Sequence, residues 1–198
     1  MCIRDSHEAS PNNIEVSIEE RHANVQWSFE DNSFIAISDD GANSNLISSL
    51  SFHIESVVPN RFATIKGCKN SYISRGNQIG TGLAVVVPND PTKPLIGIRV
   101  HERAIHNEAL SLLSEYQMAE YKVIVDSRAK HHLIDHEGNT GRQMISPSPG
   151  VEIALEIRSA LMTLKLRKPT LDELEKMVFH TLTSDEQWIP GDLSLIHI

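Results

Sequence analysis

Apolar and polar residues alternate along several short runs of this chain, the pattern of strands with one buried face. Ile14-Glu15-Val16-Ser17-Ile18 alternates cleanly, and so does Val25-Gln26-Trp27-Ser28-Phe29. Phe34-Ile35-Ala36-Ile37 is a continuous apolar run that stops at Ser38-Asp39-Asp40-Gly41, which predicts a buried strand running into a polar turn. Residues 82–87 and 95–100 flank Pro88-Asn89-Asp90-Pro91-Thr92-Lys93-Pro94 and predict a hairpin. A second hairpin is expected from residues 143–145 to 151–155 across Ser146-Pro147-Ser148-Pro149-Gly150, with further strands at 123–125 and 161–166. Helical spacing is confined to two places. Leu110, Leu113, Gln117 and Met118, with Leu112, predict a helix across 107–121. Pro169-Thr170 opens a second, short helix, with Thr170 and Glu173 at capping-box spacing and Asp172-Glu173 as negative charge at its start.

The chain is therefore expected to be mainly β, with one or two short helices and no internal repeat. Its 198 residues, 40% hydrophobic, suffice for one domain with a single core. A formal charge of -8 argues against a dedicated nucleic-acid binder, which needs a surplus of Lys and Arg. No apolar run approaches the length of a membrane span. Cys2 and Cys68 are too few for a disulfide framework or a four-cysteine zinc site, which points to a reducing compartment. Both ends, residues 1–6 and 193–198, resemble peptides translated from sequencing adapters and are set aside from the fold.

The informative stretch is Ser38-Asp39-Asp40-Gly41-Ala42-Asn43-Ser44-Asn45-Leu46-Ile47. A carboxylate at a strand end, followed by Gly in a tight turn, small Ala and a returning apolar pair, suits a fixed reactive acid that a partner chain can approach. Alone, Asp-Asp-Gly-Ala-Asn is also ordinary turn chemistry. The stretch resembles the apolar, Asp, Ser or Thr, Gly, Ala pattern of retroviral-type proteases, matched here by Asp39, Gly41 and Ala42. Further on, Ala109-Leu110-Ser111-Leu112-Leu113-Ser114-Glu115-Tyr116-Gln117-Met118 and Val123-Ile124-Val125-Asp126 resemble the helix and strand near the end of copia-type retrotransposon proteases. Val100-His101-Glu102-Arg103-Ala104-Ile105-His106-Asn107 is similar to the segment leading into them, and Leu161-Met162-Thr163-Leu164, Pro169-Thr170-Leu171-Asp172-Glu173-Leu174 and Trp188-Ile189-Pro190 to the segment that follows. Likeness in order and spacing covers roughly residues 33 to 190.

That resemblance implies a small retropepsin-like acid-protease barrel over residues 7–150, with a C-terminal strand and helix extension or linker over 151–192. It implies an endopeptidase that cleaves its own polyprotein as a homodimer, needs no cofactor and works in a cytoplasmic virus-like particle, with no membrane or nucleic-acid contact by this segment. Asp39 would be the catalytic acid, Asp40, Gly41, Ala42, Asn43 and Ser44 its loop, and Leu112 and Leu113 structural support. Only one Asp-x-Gly-Ala occurs, so two chains would supply one aspartate each. Either the hairpin around 88–94 or the 67–82 region would serve as a flap.

Asp40 departs from the family, which has Ser or Thr there to donate hydrogen bonds across the dimer axis; an ionised carboxylate only accepts. Weak or absent activity is the expectation. Lys122, where relatives tend to have Gly, is a milder departure. The alternative reading is a catalytically dead protease-like domain that dimerises or acts as a spacer. A third, an unrelated ligand-binding β-domain, requires Asp39 to be exposed on a loop away from any symmetry axis.

Other chemistry finds little support. His101 and His106 are five apart, not the four that two zinc ligands on one helical face require, and His131, His132 and His136 lack a matching third cluster. Solvated loop histidines and no metal are expected. Asp126-Ser127 reads as a strand end, because Arg128 stands where Gly would be needed. No Gly-x-Ser-x-Gly elbow occurs, and Gly76, Gly80 and Gly82 lack the Lys-Ser/Thr ending of a phosphate loop.

Overall fold

The computed structural model describes residues 13–18, 32–67, 73–128, 141–158 and 160–189. The fold is mainly β, with two short helices among the described residues. Its organising strand is β2 (Phe34–Asp39), the continuous apolar run of the sequence. Ile35, Ala36 and Ile37 are all fully buried, which explains the lack of alternation: both faces of the strand are covered.

The neighbours of β2 come from distant parts of the chain. On one side lies β7 (Ser111–Ser114), parallel, with Asp39 opposite Ser114. On the other lies β12 (Leu161–Arg167), antiparallel, with Leu164 opposite Ala36. Beyond β7 comes β3 (Leu46–Ser48), the strand that directly follows the Asp39 turn, and then β6 (Ile96–His106). The long strands β4 (His53–Gly67) and β5 (Ile73–Val86) form an antiparallel hairpin, and β5 pairs with both β6 and β12. The pairings therefore return on themselves, from β5 through β12, β2, β7, β3 and β6 back to β5. The outer half of the β4–β5 hairpin stands outside this circuit and carries β1 (Asn13–Ile18) in parallel on β4.

A small second sheet contains β8 (Ile124–Asp126), β9 (Met144–Ser148) and β10 (Val151–Ala154), all antiparallel. A short strand, β11 (Glu156–Arg158), then turns back onto β12. The hairpins expected around 88–94 and 146–150 and the strand at 161–166 are present. The strand expected at 25–29 lies outside the described residues. After β10 the chain returns to the main sheet: β12 sits between β2 and β5, and β13 (Phe179–Thr181) lies parallel on β6. The short helix opened by Pro169-Thr170 is α2 (Leu171–Lys176), capped reciprocally by Thr170 and Glu173.

One expected element is corrected. The helix at 107–121 is in fact β7 followed by α1 (Glu115–Glu120). Leu110, Leu113 and Gln117 fit a helical period, but Ser111, Leu112, Leu113 and Ser114 are buried on both faces of a strand, where no period of two survives. Leu112 packs in one apolar cluster with Ile37 and Leu46, and Leu113 in the other with Ala36 and Ile47. The pair thus pins β7 from both faces. Leu112→Ala and Leu113→Ala are each expected to lower the unfolding free energy by about 2–5 kcal/mol in urea titration.

Candidate active-site loop

Between β2 and β3 the chain makes a turn whose exposure changes residue by residue. Ser38 is buried, Asp39 half-buried, Asp40 and Gly41 exposed, and Ala42 buried again. The Asp39 carboxylate accepts the Gly41 backbone N–H at 2.8 Å, which closes the turn. The rest of the loop is tied down by buried polar groups. Ser114 Oγ donates to the Ala42 carbonyl at 2.7 Å while capping α1 through Gln117 N. Asn45 Oδ1 accepts the Ser114 N–H at 2.7 Å. Asn45 also donates to Gln117 Oε1 from its side-chain amide (2.6 Å) and its backbone (3.0 Å). Gln117 Nε2 in turn donates to the Glu102 carbonyl. From far along the chain, Trp188 Nε1 donates to the Asn43 carbonyl at 2.9 Å.

The residues singled out from sequence are thus gathered in one place: Asp39 to Ser44 form the turn, and Leu112 and Leu113 lie in the strand beside it. Asn45, Ser114, Gln117, Glu115 and Trp188 were not foreseen as parts of the loop, although all five fall inside stretches already noted. Glu115 is the second unexpected carboxylate. It accepts Ser38 Oγ at 2.8 Å and Ser127 Oγ at 2.9 Å, so it staples the end of β2 to the residue after β8. Burial raises its pKa; the two hydroxyls pull it down, and the neighbouring Asp40 and Asp39 charges push it up again.

Asp126 does end a strand, as expected, and the Arg128 guanidinium holds its carboxyl down to about 2, aided by the Arg142 and Arg128 backbone N–H groups against the cost of burial. The histidines at 101 and 106 require a correction, for they lie on β6 and not in a solvated loop. His106 is buried and donates from Nε2 to the Leu110 carbonyl, and His101 Nδ1 meets Thr81 Oγ1 at 3.0 Å. Burial lowers the pKa of both. No three His, Cys, Asp or Glu side chains converge among the described residues, and His131, His132 and His136 lie outside them. No helix among the described residues is long and apolar enough to cross a membrane.

No family model matches the chain, and no curated protein or solved structure matches it either.

Glu115 and Asp126 should respond to pH in opposite senses. Asp126 has a folded pKa below its ordinary 3.8, so the stability it contributes is present above that value and is lost as pH falls towards about 2. Asp126→Asn is therefore expected to lower the melting temperature at pH 6 and to matter little near pH 2. Glu115 has a folded pKa above its ordinary 4.5, so its ionised form costs stability above the folded pKa, and the cost vanishes below 4.5. Glu115→Gln should raise the melting temperature at pH 7 and leave it nearly unchanged at pH 4. Thermal melts of both variants across this range check the two signs.

Proposed function

We propose that this chain is the aspartic endopeptidase of a copia-type retrotransposon polyprotein, with one active site assembled from two copies. The observation that carries the reading is the insertion of β7 between β2 and β3. The turn bearing Asp39 is clamped at both ends by one strand, and its Asp39, Asp40 and Gly41 side remains at the surface. A loop rigid in its return limb and open at its acid suits a carboxylate that must meet a second carboxylate from a partner. The ordered likeness of residues 33–190 to copia-type proteases supports the same reading. So does the closed circuit of strands, which fits a small retropepsin-like barrel.

In the proposed dimer, two Asp39 side chains face one another across a twofold axis. Like charges about 3 Å apart cannot both ionise, so the pair holds one proton. The ionised member takes a proton from a bound water as that water's oxygen attacks the scissile carbonyl. The protonated member hydrogen-bonds the carbonyl oxygen as negative charge develops there. Collapse of the tetrahedral intermediate breaks the C–N bond, the leaving nitrogen taking a proton from the dyad. The β4–β5 hairpin is the better candidate for a flap over the peptide, because its outer half pairs with nothing in the circuit. The turn at 87–95 is short and lies between two circuit strands.

The second reading, a catalytically silent dimerising domain, is favoured by Asp40. It is exposed beside Asp39, where a donor would brace the partner loop, and Glu115 adds another carboxylate nearby. Two copies would bring these negative charges together with no hydroxyl to bridge them.

Proteolysis of a fluorogenic peptide library at about pH 5 tests the reading. Asp40→Ser is expected to raise kcat/KM by at least tenfold. Asp39→Asn in that background should lower it by roughly a hundredfold or more, the scale of a lost acid–base group. A folded Asp40→Ser dimer without activity would overturn the endopeptidase reading in favour of the silent domain.

A further inference from the structure

We propose that Trp188 is a positioning residue that locks the Asp39 loop, so that the segment after α2 is a working part of the site; the catalytic consequence rests on the endopeptidase reading, the lock itself does not.

The segment reaches the loop along a continuous track. β13 lies on β6 from Gly97 to Arg99. The Leu182 N–H then donates to the Arg99 carbonyl at 2.8 Å. Thr183 Oγ1 accepts the His101 N–H at 2.8 Å and donates to the His101 carbonyl at 3.0 Å. Leu182 and Thr183 are both fully buried, which fixes the path. The track ends at Glu102, whose carboxylate accepts the Trp188 N–H at 3.2 Å and pairs with Arg61 at 2.8 Å. That anchor delivers the indole N–H to the Asn43 carbonyl.

The place it touches matters more than the bond alone. Ala42 is held by Ser114 and Asn45 by Ser114 and Gln117, all from β7 and α1 on one side. Asn43 lies between them, and Trp188 grips it from a separate segment of the chain. The Ala42 and Asn43 carbonyls are thus held by two separate segments, and the orientation of the Asp39 turn inherits that hold across the three peptide bonds from Asp39 to Ala42. Glu102 couples the grips, because its carbonyl receives Gln117 and its carboxylate receives Trp188. Its left-handed backbone, at a φ of 52°, is what turns it out of the regular strand. Truncation of the chain before Phe179 would remove the Trp188 grip and leave that of Ser114 and Gln117.

Hydrogen exchange on the full chain tests the lock without requiring peptidase activity. In Trp188→Phe, which keeps an aromatic ring and removes the donor, the Gly41 and Asn45 amides are expected to exchange roughly five- to tenfold faster, as losing one net hydrogen bond implies. In Trp188→Ala the increase should be larger. Ile37 and Leu112, in the strands beside the loop, should keep their rates in Trp188→Phe. Unchanged Gly41 and Asn45 rates in both variants would overturn the proposal. So would equal acceleration of all four amides in Trp188→Phe, because that is general destabilisation. In the Asp40→Ser background, Trp188→Phe should lower kcat with KM held within about twofold. If Asp40→Ser is itself silent, the endopeptidase reading fails and the exchange rates alone decide the lock.

Discussion

The carboxamide of Asn45 is fully buried, and satisfying it dictates how the surrounding elements meet. Its oxygen takes the Ser114 N–H, and its nitrogen, with its own backbone N–H, goes to Gln117 Oε1. An unpaired amide at such a site costs several times what a paired one returns, so loop, strand and helix form together or not at all. This couples three choices that sequence leaves separate: β7 must stand between β2 and β3, α1 must start at Ser114, and Asp39 must end opposite Ser114. The geometry of the acid is a by-product of burying an amide six residues later.

Charge is distributed against this frame in an unusual way. Asp39, Asp40 and Glu115 crowd one end of β2, where desolvation already disfavours Glu115 in its ionised form. Ser38 and Ser127 offset part of that cost with hydroxyl hydrogen bonds, leaving Glu115 a structural staple between β2 and the end of β8. Glu102 is also buried but paired with Arg61, so it serves as an anchor. The two glutamates show how one side chain type, placed near acids or near a guanidinium, becomes a liability in one case and a hub in the other.

β10 and β12 were legible because more exposed positions recur between buried ones and the alternation survives, and β2 and the end of β5 because their apolar runs are continuous. The turn at 38–45 was legible because a continuous apolar run stops there at short polar residues and Gly, ordinary turn formers. The strands β3, β4, β11 and β13 were not foreseen, and at the loop two things were hidden. Leu112 and Leu113 are covered on both sides, so β7 carried no period and its leucines mimicked a helix. The polar partners of the loop were hidden for a different reason. Asn45 meets Gln117 across 72 residues and Asn43 meets Trp188 across 145, and no local pattern marks a hydrogen bond at that range. Residues 161–166 read correctly as a strand, yet nothing in their alternation says that they belong beside β2.

That last pairing has a consequence for when the site can exist. β2 is the first strand of the closed circuit along the chain, but both of its neighbours, β7 and β12, come much later. Until they are available, the apolar run at 34–37 has no partner in the circuit and the Asp39 turn has nothing to hold its return limb. Pairings so distant in sequence pay their chain-closure entropy before any contact compensates it, so they form late and cooperatively. Trp188 extends the requirement nearly to the end of the described residues. The turn that carries the acid therefore depends for its order on segments that follow it in the chain. In a polyprotein protease of the proposed kind, the topology itself would delay the appearance of a competent active-site loop until the residues up to 188 had been made.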